Sequence, residues 1–363
     1  MQPKVTHDEN QTTQPHVSHP VFNNWDVIAQ GWFFVGKSRN LKPGKIMPFV
    51  IHGHRLAVFR GTSGQVIALD AYCPHMGTDL TIGKVKGDSI ECYFHHWRFD
   101  ADGACVDIPC LKERESESIP PMAKTSSYAV CERYGSIWVY PAKKAPNPVA
   151  EFPDYAGLEL DVWLASKETV TCHQHVAMIN GLDAQHLKTV HKLDLDMSLT
   201  ENESSDGRTI ELILEGDIPD SLPGKLGQLM MGRRYRYGMI YTDANIGLLT
   251  ILQKLPFFGT RALWPQLHMI YAYKPLAAGL MELQSIYVTK KRRGPLGWLY
   301  SRLLLTITVA LFHVLKAEDG KVYDNMRFST RILLPIDQPI ARFIAHTNRL
   351  KASIWSPKNS RPS

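Results

Sequence analysis

Four residues in two short stretches have the types and spacing of a metal centre. "CPH" supplies Cys73 and His75, and "ECYFHHWRFD" (91–100) supplies Cys92 followed by the adjacent His95 and His96. Two thiolates and two imidazoles suit tetrahedral zinc, the ligand set of many structural sites. The pattern departs from a zinc finger in three ways. Cys-x-His is a tighter pair than the usual Cys pair; each half offers one sulfur and one nitrogen; and both halves fall in turns between β-like segments, without a finger helix. A two-iron cluster with two sulfurs on one iron and two nitrogens on the other takes this set from two loops approaching from one side. Neutral imidazoles in place of anionic thiolates make such a cluster accept an electron more readily.

A second set lies in "INGLDAQHLKTVH" (179–191), with Asn180, Asp183, His186 and His191 as its skeleton. On a regular helix, at about 100° per residue, Asp183 and His186 share a face, whereas His186 and His191 stand about 140° apart. The two imidazoles converge on one ion only if the helix is distorted or ends before His191. Two histidines and a carboxylate on one face of an iron leave positions for O2 and substrate. Alone, the stretch also fits two surface histidines on a broken helix.

Together the motifs carry a resemblance. "CPHMGTDLTIGKVKGDSIECYFHHWRFDADGACVDIP" (73–109) resembles a Rieske cluster domain over its whole length, and 179–191 resembles the mononuclear iron motif of the Rieske non-haem iron oxygenases. The likeness runs over roughly residues 25–330 and is tight only at the metal motifs. It implies a [2Fe–2S] cluster on Cys73, His75, Cys92 and His95, shielded by a loop through Gly103 to Pro109. His96 is then a neighbour, and Cys105 and Cys110 are unliganded thiols. It implies Fe(II) on His186, His191 and a carboxylate within "LKAEDGKVYDNMRF" (315–328), where Asp319 matches best and Glu318 and Asp324 compete. It implies that Asp183 bridges His186 and the adjacent subunit's cluster histidine, His95, in a head-to-tail ring, commonly a homotrimer. The plain alternative for Asp183 is a helix-terminal acid without special role. Asn180 is implied to support the iron site, with a helix cap as the plain alternative.

The fold so implied is α+β: a β-rich Rieske domain, then a helix-grip (START-like) catalytic domain with an antiparallel sheet. The implied donors are NAD(P)H through a separate reductase, with or without a ferredoxin, since no Rossmann glycine fingerprint or flavin motif is visible in the chain. "FHHWRFD", "DAQH" and "DGKVYDNM" resemble the α3-type branch, with aminopyrrolnitrin oxygenase-like and steroid hydroxylase-like members performing monooxygenations. The Met-, Tyr-, Leu- and Phe-rich segments "LMMGRRYRYGMIY", "LLTILQKLPFFG" and "ALWPQLHMIYAY" are core by default, yet alternate residues can line a roomy apolar pocket. The expected substrate is therefore a bulky lipophilic polycycle such as a sterol or terpenoid, hydroxylated or oxidatively demethylated. Oxygenation of an aromatic ring or arylamine nitrogen is the alternative. A Rieske electron carrier and a zinc-binding structural protein are the rivals of another class.

Composition bounds these readings. The 363 residues are 44% apolar and 21% charged, as in a globular protein with a proper core. A net charge of +6 is too diffuse to argue for nucleic acid, though it favours an acidic electron-transfer partner. The polar N-terminus shows no signal-peptide pattern, which with six cysteines favours reduced or metal-bound thiols and a cytoplasmic location. β-like runs fill Trp25 to Tyr140, with turns expected near Gly53, at "GTSG" and at Tyr134-Gly135; the Pro-rich 141–155 punctuates the chain. The expected divisions are a polar tail (1–22), the Rieske domain (23–145), the catalytic domain (150–345) and a C-terminal tail (346–363). The apolar stretch 294–315 follows "KKRR", but its uninterrupted run, Leu303 to Leu315, is too short for a span. A buried helix packed across the catalytic sheet is expected there, with a peripheral membrane contact as the alternative.

Overall fold

The computed structural model describes residues 20–111, 118–192, 196–217, 234–251, 256–257, 261–262 and 266–357. The polar tail's three histidines, His7, His16 and His19, which read as bystanders rather than ligands, lie outside the described residues, as do parts of the three Met-, Tyr-, Leu- and Phe-rich segments.

The N-terminal unit is built on a six-stranded antiparallel sheet. Its strands are β1 (Phe33–Lys37), β2 (Ile46–Ile51), β3 (His54–Arg60), β4 (Val66–Asp70), β9 (Ser127–Arg133) and β10 (Ser136–Tyr140), in the order β1-β10-β9-β4-β3-β2. His52-Gly53 and Tyr134-Gly135 turn two of its hairpins, all four residues at positive φ, as the tight primed turns require. A small sheet of β5 (Lys84–Lys86), β6 (Ser89–Glu91), β7 (Arg98–Phe99) and β8 (Cys105–Asp107) lies beside it. Strand β3 is buried on both faces, and period-two alternation divides its side chains between two cores. Leu56 and Val58 pack with Phe33, Phe49 and Trp355, while Ala57 and Phe59 pack with Cys73 and Cys92. The cluster loops are thus anchored through the sheet.

Trp355 changes the expected division. Residues 346–363 read as a tail, but 351–357 return to the N-terminal sheet. Ala352 bridges Ala29, Gln30 N–H donates to Lys351 O at 2.8 Å, and the Trp355 ring is buried beside Phe33, Phe49 and Tyr128. One tryptophan among polar residues has no periodicity to betray a long-range contact.

The larger unit is a seven-stranded antiparallel sheet of β11 (Leu160–Val170), β12 (Asp196–Glu203), β13 (Thr209–Asp217), β14 (Arg234–Thr242), β15 (Ile246–Ile251), β18 (Leu267–Ala277) and β19 (Leu280–Lys290), ordered β11-β19-β18-β15-β14-β13-β12; the short β16 (Pro256–Phe257) and β17 (Arg261–Ala262) pair separately. Helices α1 (Gln174–Ile179), α2 (Ala184–Thr189), α3 (Gly294–Tyr323) and α4 (Gln338–Thr347) complete it. The expected α+β architecture with an antiparallel catalytic sheet is the one found.

Helix α3 differs from expectation. Ser301, Leu304, Leu305, Thr308 and Phe312, spaced by three or four, form a buried stripe on the sheet. The opposite face of its first half is exposed, so a fully buried helix is not what the chain builds. Among the described residues, α3 is the one helix long and apolar enough by length and composition to cross a membrane, and only 29% of that stretch is buried.

Candidate active site

The two cluster loops have the same backbone design. Gly77 N–H donates to Cys73 O at 2.9 Å, and His96 N–H donates to Cys92 O at 3.2 Å, each closing a five-residue turn. The closing residue is left-handed in both, Gly77 at φ 75° and His96 at φ 59°. His96 therefore occupies the place that glycine fills in the first loop, and its side chain turns to Glu91, 3.3 Å from Nδ1. Cys73 and Cys92 are buried, and burial pushes the Cys73 thiol up to about 11, with Cys92 adding to the shift. His75 and His95 are exposed, their ring centroids 4.6 Å apart, and Trp97 stacks on His75 at 4.4 Å. The two sulfurs thus lie inward and the two imidazoles face out. Cys105 is buried and Cys110 exposed.

Ligands of one tetrahedral ion, each about 2.0–2.3 Å from it, lie within about 4 Å of one another. Among the described residues, the one group of three or more such donors within 4.8 Å of each other is His186, His191 and Asp319, not the Cys–His quartet.

The second site is made by a break in the chain. α1 ends at Ile179 with Asn180 as its C-cap, and Asp183 caps α2, its Oδ1 accepting from His186 N–H at 3.0 Å. The break leaves carbonyls without helical partners. Tyr241 Oη donates to Met178 O and Tyr237 Oη to Gly181 O, both at 2.6 Å. A side chain at 181 would press on Tyr241 and Met239, at 3.0–3.1 Å, so glycine suits the break. Helix α2 stops at Thr189, which frees His191 to turn back. His186 Nε2 and His191 Nε2 come to 3.1 Å, and Asp319 Oδ1, from α3, lies 2.9 Å and 3.1 Å from them.

This trio fits a divalent cation. Two imidazole nitrogens face each other, so both cannot present lone pairs there without a positive charge between them. Asp319 Oδ1 is buried beside them yet makes a directed hydrogen bond with neither. Burial works to raise the Asp319 carboxyl, and the two imidazoles outweigh it, holding it below the usual carboxylate value. Asp319 in turn raises His191 against its burial, helped by Glu318. Glu318, which the sequence offered only as a rival ligand, instead holds His191 Nδ1 at 2.8 Å. Asp324 is hydrogen-bonded from Thr171. In the single chain, Asp183 contacts the His186 backbone amide, and Asn180 lines the cavity beside the trio.

That cavity has a volume of about 350 Å³. Leu249, Ile251, Leu283 and Phe312 give it apolar walls. Its one Lys–Glu pair, Lys316 with Glu168, is internally neutralised.

Residues 31–129 match the Rieske [2Fe-2S] domain model. The chain is 37% identical over 170 residues to the oxygenase component of 3-ketosteroid-9-alpha-monooxygenase from Rhodococcus rhodochrous, covering 45% of this chain and 42% of that protein. It is 40% identical over 170 residues to a cholesterol 7-desaturase of Ciona intestinalis (46% and 35%), and 31% identical over 176 residues to the aminopyrrolnitrin oxygenase of Pseudomonas fluorescens (46% and 47%). The matched region spans less than half the length of each of these relatives. In fold it is similar to dicamba monooxygenase bound to dicamba, with a TM-score of 0.63 at 19% identity, covering 88% of this chain and 97% of that one. It is equally similar to NdmB of Pseudomonas putida CBB5, with a TM-score of 0.63 at 20% identity, covering 87% and 89%. Residues 31–129 thus match a Rieske [2Fe-2S] domain, and over most of its length the chain shares the fold of dicamba monooxygenase and NdmB.

Proposed function

We propose that this chain is the terminal oxygenase subunit of a Rieske non-haem iron enzyme. It takes electrons from a separate NAD(P)H reductase, with or without a ferredoxin, and monooxygenates a bulky lipophilic polycycle such as a sterol or terpenoid. The observation that carries this reading is one cavity with His186, His191 and Asp319 on its wall and apolar side chains around them. An electron carrier has no use for it. In this reading Cys73, His75, Cys92 and His95 hold the cluster, and His186, His191 and Asp319 hold iron. Bound there, the cluster supplies single electrons and the iron supplies O2 activation.

The chain's own residues do the rest. Apolar walls desolvate the substrate and favour neutral molecules, since Lys316 is neutralised by Glu168 and the other acids of the lining, Asp319 and Asp324, are held by the histidine pair and by Thr171. Glu318 orients His191, and Tyr237 and Tyr241 hold the break that aims His186. We assign Asp183 to electron transfer toward His186 from His95 of a neighbouring copy in a homotrimer. Two apolar surfaces support this assembly. Met76, Tyr93 and Phe94 are exposed around the cluster histidines. Ile332, Leu333, Leu334 and Ile336 are exposed in the segment tied to α2 through Gln185 and Asp337. We divide the chain into the domains 23–145 and 150–345, and add 351–357 to the first. A cytoplasmic location with peripheral membrane contact completes the reading.

Oxygenation of an aromatic ring or arylamine is the second reading. Tyr271 and Tyr273, whose ring centroids lie 5.9 Å apart on the cavity wall, offer faces to a flat ring. A panel of sterols, terpenoids and arylamines with O2, NADH and a surrogate reductase separates the two. Product from sterols or terpenoids supports the first, and product from arylamines alone replaces it with the second. His186→Ala is expected to keep the cluster's absorbance and abolish turnover. Asp183→Asn is expected to keep both metals and stop single-turnover electron transfer; a normal rate rejects the bridge.

A further inference from the structure

The outward face of α3 is built for something other than water. Leu296 is 81% exposed, and Trp298, Leu299, Tyr300 and Leu303 are exposed beside it. No Asp or Glu occurs between Glu282 and Glu318, whereas Lys290, Lys291, Arg292 and Arg293 lead into the helix and Arg302 rises within it. The cations gather around the aromatic rings: Arg292 lies 4.4 Å from the Tyr300 centroid and Arg302 5.7 Å from that of Trp298. Lys291 pairs with Glu159 at 3.1 Å, while Arg292 donates to Lys290 O at 3.0 Å. A surface depression alongside is lined by Lys37, Arg39, Arg302, Ser38 and Trp163, with no acid among its lining residues.

The helix cannot span a bilayer while the fold persists. Its buried stripe lies on the sheet, and Asp319 near its C-terminus is held at the His186–His191 pair. Leucines and aromatics outward, cations at the rim and a packed inner face describe a helix lying in a membrane interface. Charge complementarity selects the occupant, because an apolar face ringed by Lys and Arg in excess over Glu159 matches lipid phosphates over a leucine-rich contact.

We propose that the first half of α3, with the basic run before it and the adjoining Lys37–Arg39–Arg302 depression, docks the protein on an anionic lipid bilayer. The docking does not rest on the proposed reaction. A route for substrate does: Phe312 and Leu315 of the same helix line the cavity, so a lipophilic molecule leaving the bilayer meets the wall that carries Asp319.

Flotation of the full-length cluster-loaded protein with vesicles tests the docking without any turnover. Phosphatidylcholine vesicles with a quarter phosphatidylglycerol are expected to carry the protein upward. Pure phosphatidylcholine, or high salt, is expected to carry roughly tenfold less. Leu299→Ser with Leu303→Ser, and separately Arg39→Glu with Arg302→Glu, are expected to cut binding roughly fivefold or more with cluster absorbance unchanged. Light scattering on the same samples gives the particle mass. No flotation on anionic vesicles, or flotation indifferent to both variants, overturns the proposal. So does a leucine variant that dissociates the oligomer in a protein that does not float, which makes the face a contact between copies.

Discussion

Glu318 offers the sharpest test of the mononuclear site, because it touches the site only through another residue. Its Oε2 lies 2.8 Å from His191 Nδ1, while His191 Nε2 faces His186 and Asp319. A carboxylate on the far nitrogen fixes the tautomer, leaves the Nε2 lone pair for a metal and increases its basicity. Removing such a partner typically costs 10–100-fold in metal affinity, about 1.4–2.7 kcal/mol. The Glu318 side chain is 41% exposed, so water partly replaces and screens it, placing Glu318→Ala near the lower figure, about tenfold. Glu318→Gln keeps an acceptor without the charge and is expected to fall between Ala and wild type. The assay is an Fe(II) titration of chelator-treated protein, read as iron bound per cluster while cluster absorbance reports that the Rieske domain is intact. Asp319→Ala, which removes a ligand, is expected to lose iron altogether. If Glu318→Ala binds iron as tightly as wild type, His191 is not held by this contact and the outer support is wrong.

The remaining predictions concern the loops, the chain end and pH. His96→Gly is expected to retain the cluster spectrum and to stabilise the protein by about 1 kcal/mol in urea, because the left-handed backbone favours glycine and the exposed contact with Glu91 is worth little. His95→Ala is expected to lose the spectrum, and the opposite pattern exchanges the two assignments. Trp355→Ala is expected to cost about 3–5 kcal/mol, read as a lower urea midpoint, since the ring is buried against those of Phe33, Phe49, His54 and Tyr128. Burial holds His173 at about 4, aided by His52, against its ordinary 6.5. Above 6.5 both folded and unfolded forms are neutral; as pH falls toward 4 only the unfolded chain takes the proton, so stability drops by about 2 kcal/mol by pH 5. Asp243, raised by burial to about 6, works in the opposite sense. The His173→Gln variant should therefore show a shallower fall in urea midpoint between pH 7 and 5, and equal slopes refute the assignment.

What the sequence revealed and what it hid divide along physical lines. The residues proposed to hold the cluster sit in short loops, where spacing alone encodes geometry, and hairpin turns announce themselves through Gly53 and Gly135. The helix arithmetic at His186 and His191 required a break, and the structure supplies one by ending α2 at Thr189. Nothing local foretold what holds the break open, because Tyr237 and Tyr241 arrive from a strand more than fifty residues away. Glu318 and Asp319 are adjacent and chemically alike; only the direction each leaves α3 separates support from candidate ligand. Trp355 was lost for a similar reason, since a contact spanning most of the chain leaves no periodic trace.

Helix α3 shows why a hydropathy run misleads in both directions. Counting from Leu303 to Leu315 made the stretch too short for a membrane and therefore core. Yet the helix begins at Gly294, and its apolar side chains are shared between two faces. Ser301 and Thr308 lie in the buried stripe, their polar atoms satisfied locally (Thr308 Oγ1 donates to Leu304 O at 2.8 Å), while Leu296, Leu299 and Leu303 lie outside. Small hydroxyl residues against the sheet allow close approach, and the bulky apolar ones are left facing out. Burial chosen for hydrophobicity alone would reverse that assignment. The inner face is set by fit to β11 and β19 and by the need to hold Asp319 at the histidines. The leucines outside are left exposed by that fit, and they are what the vesicle assay probes.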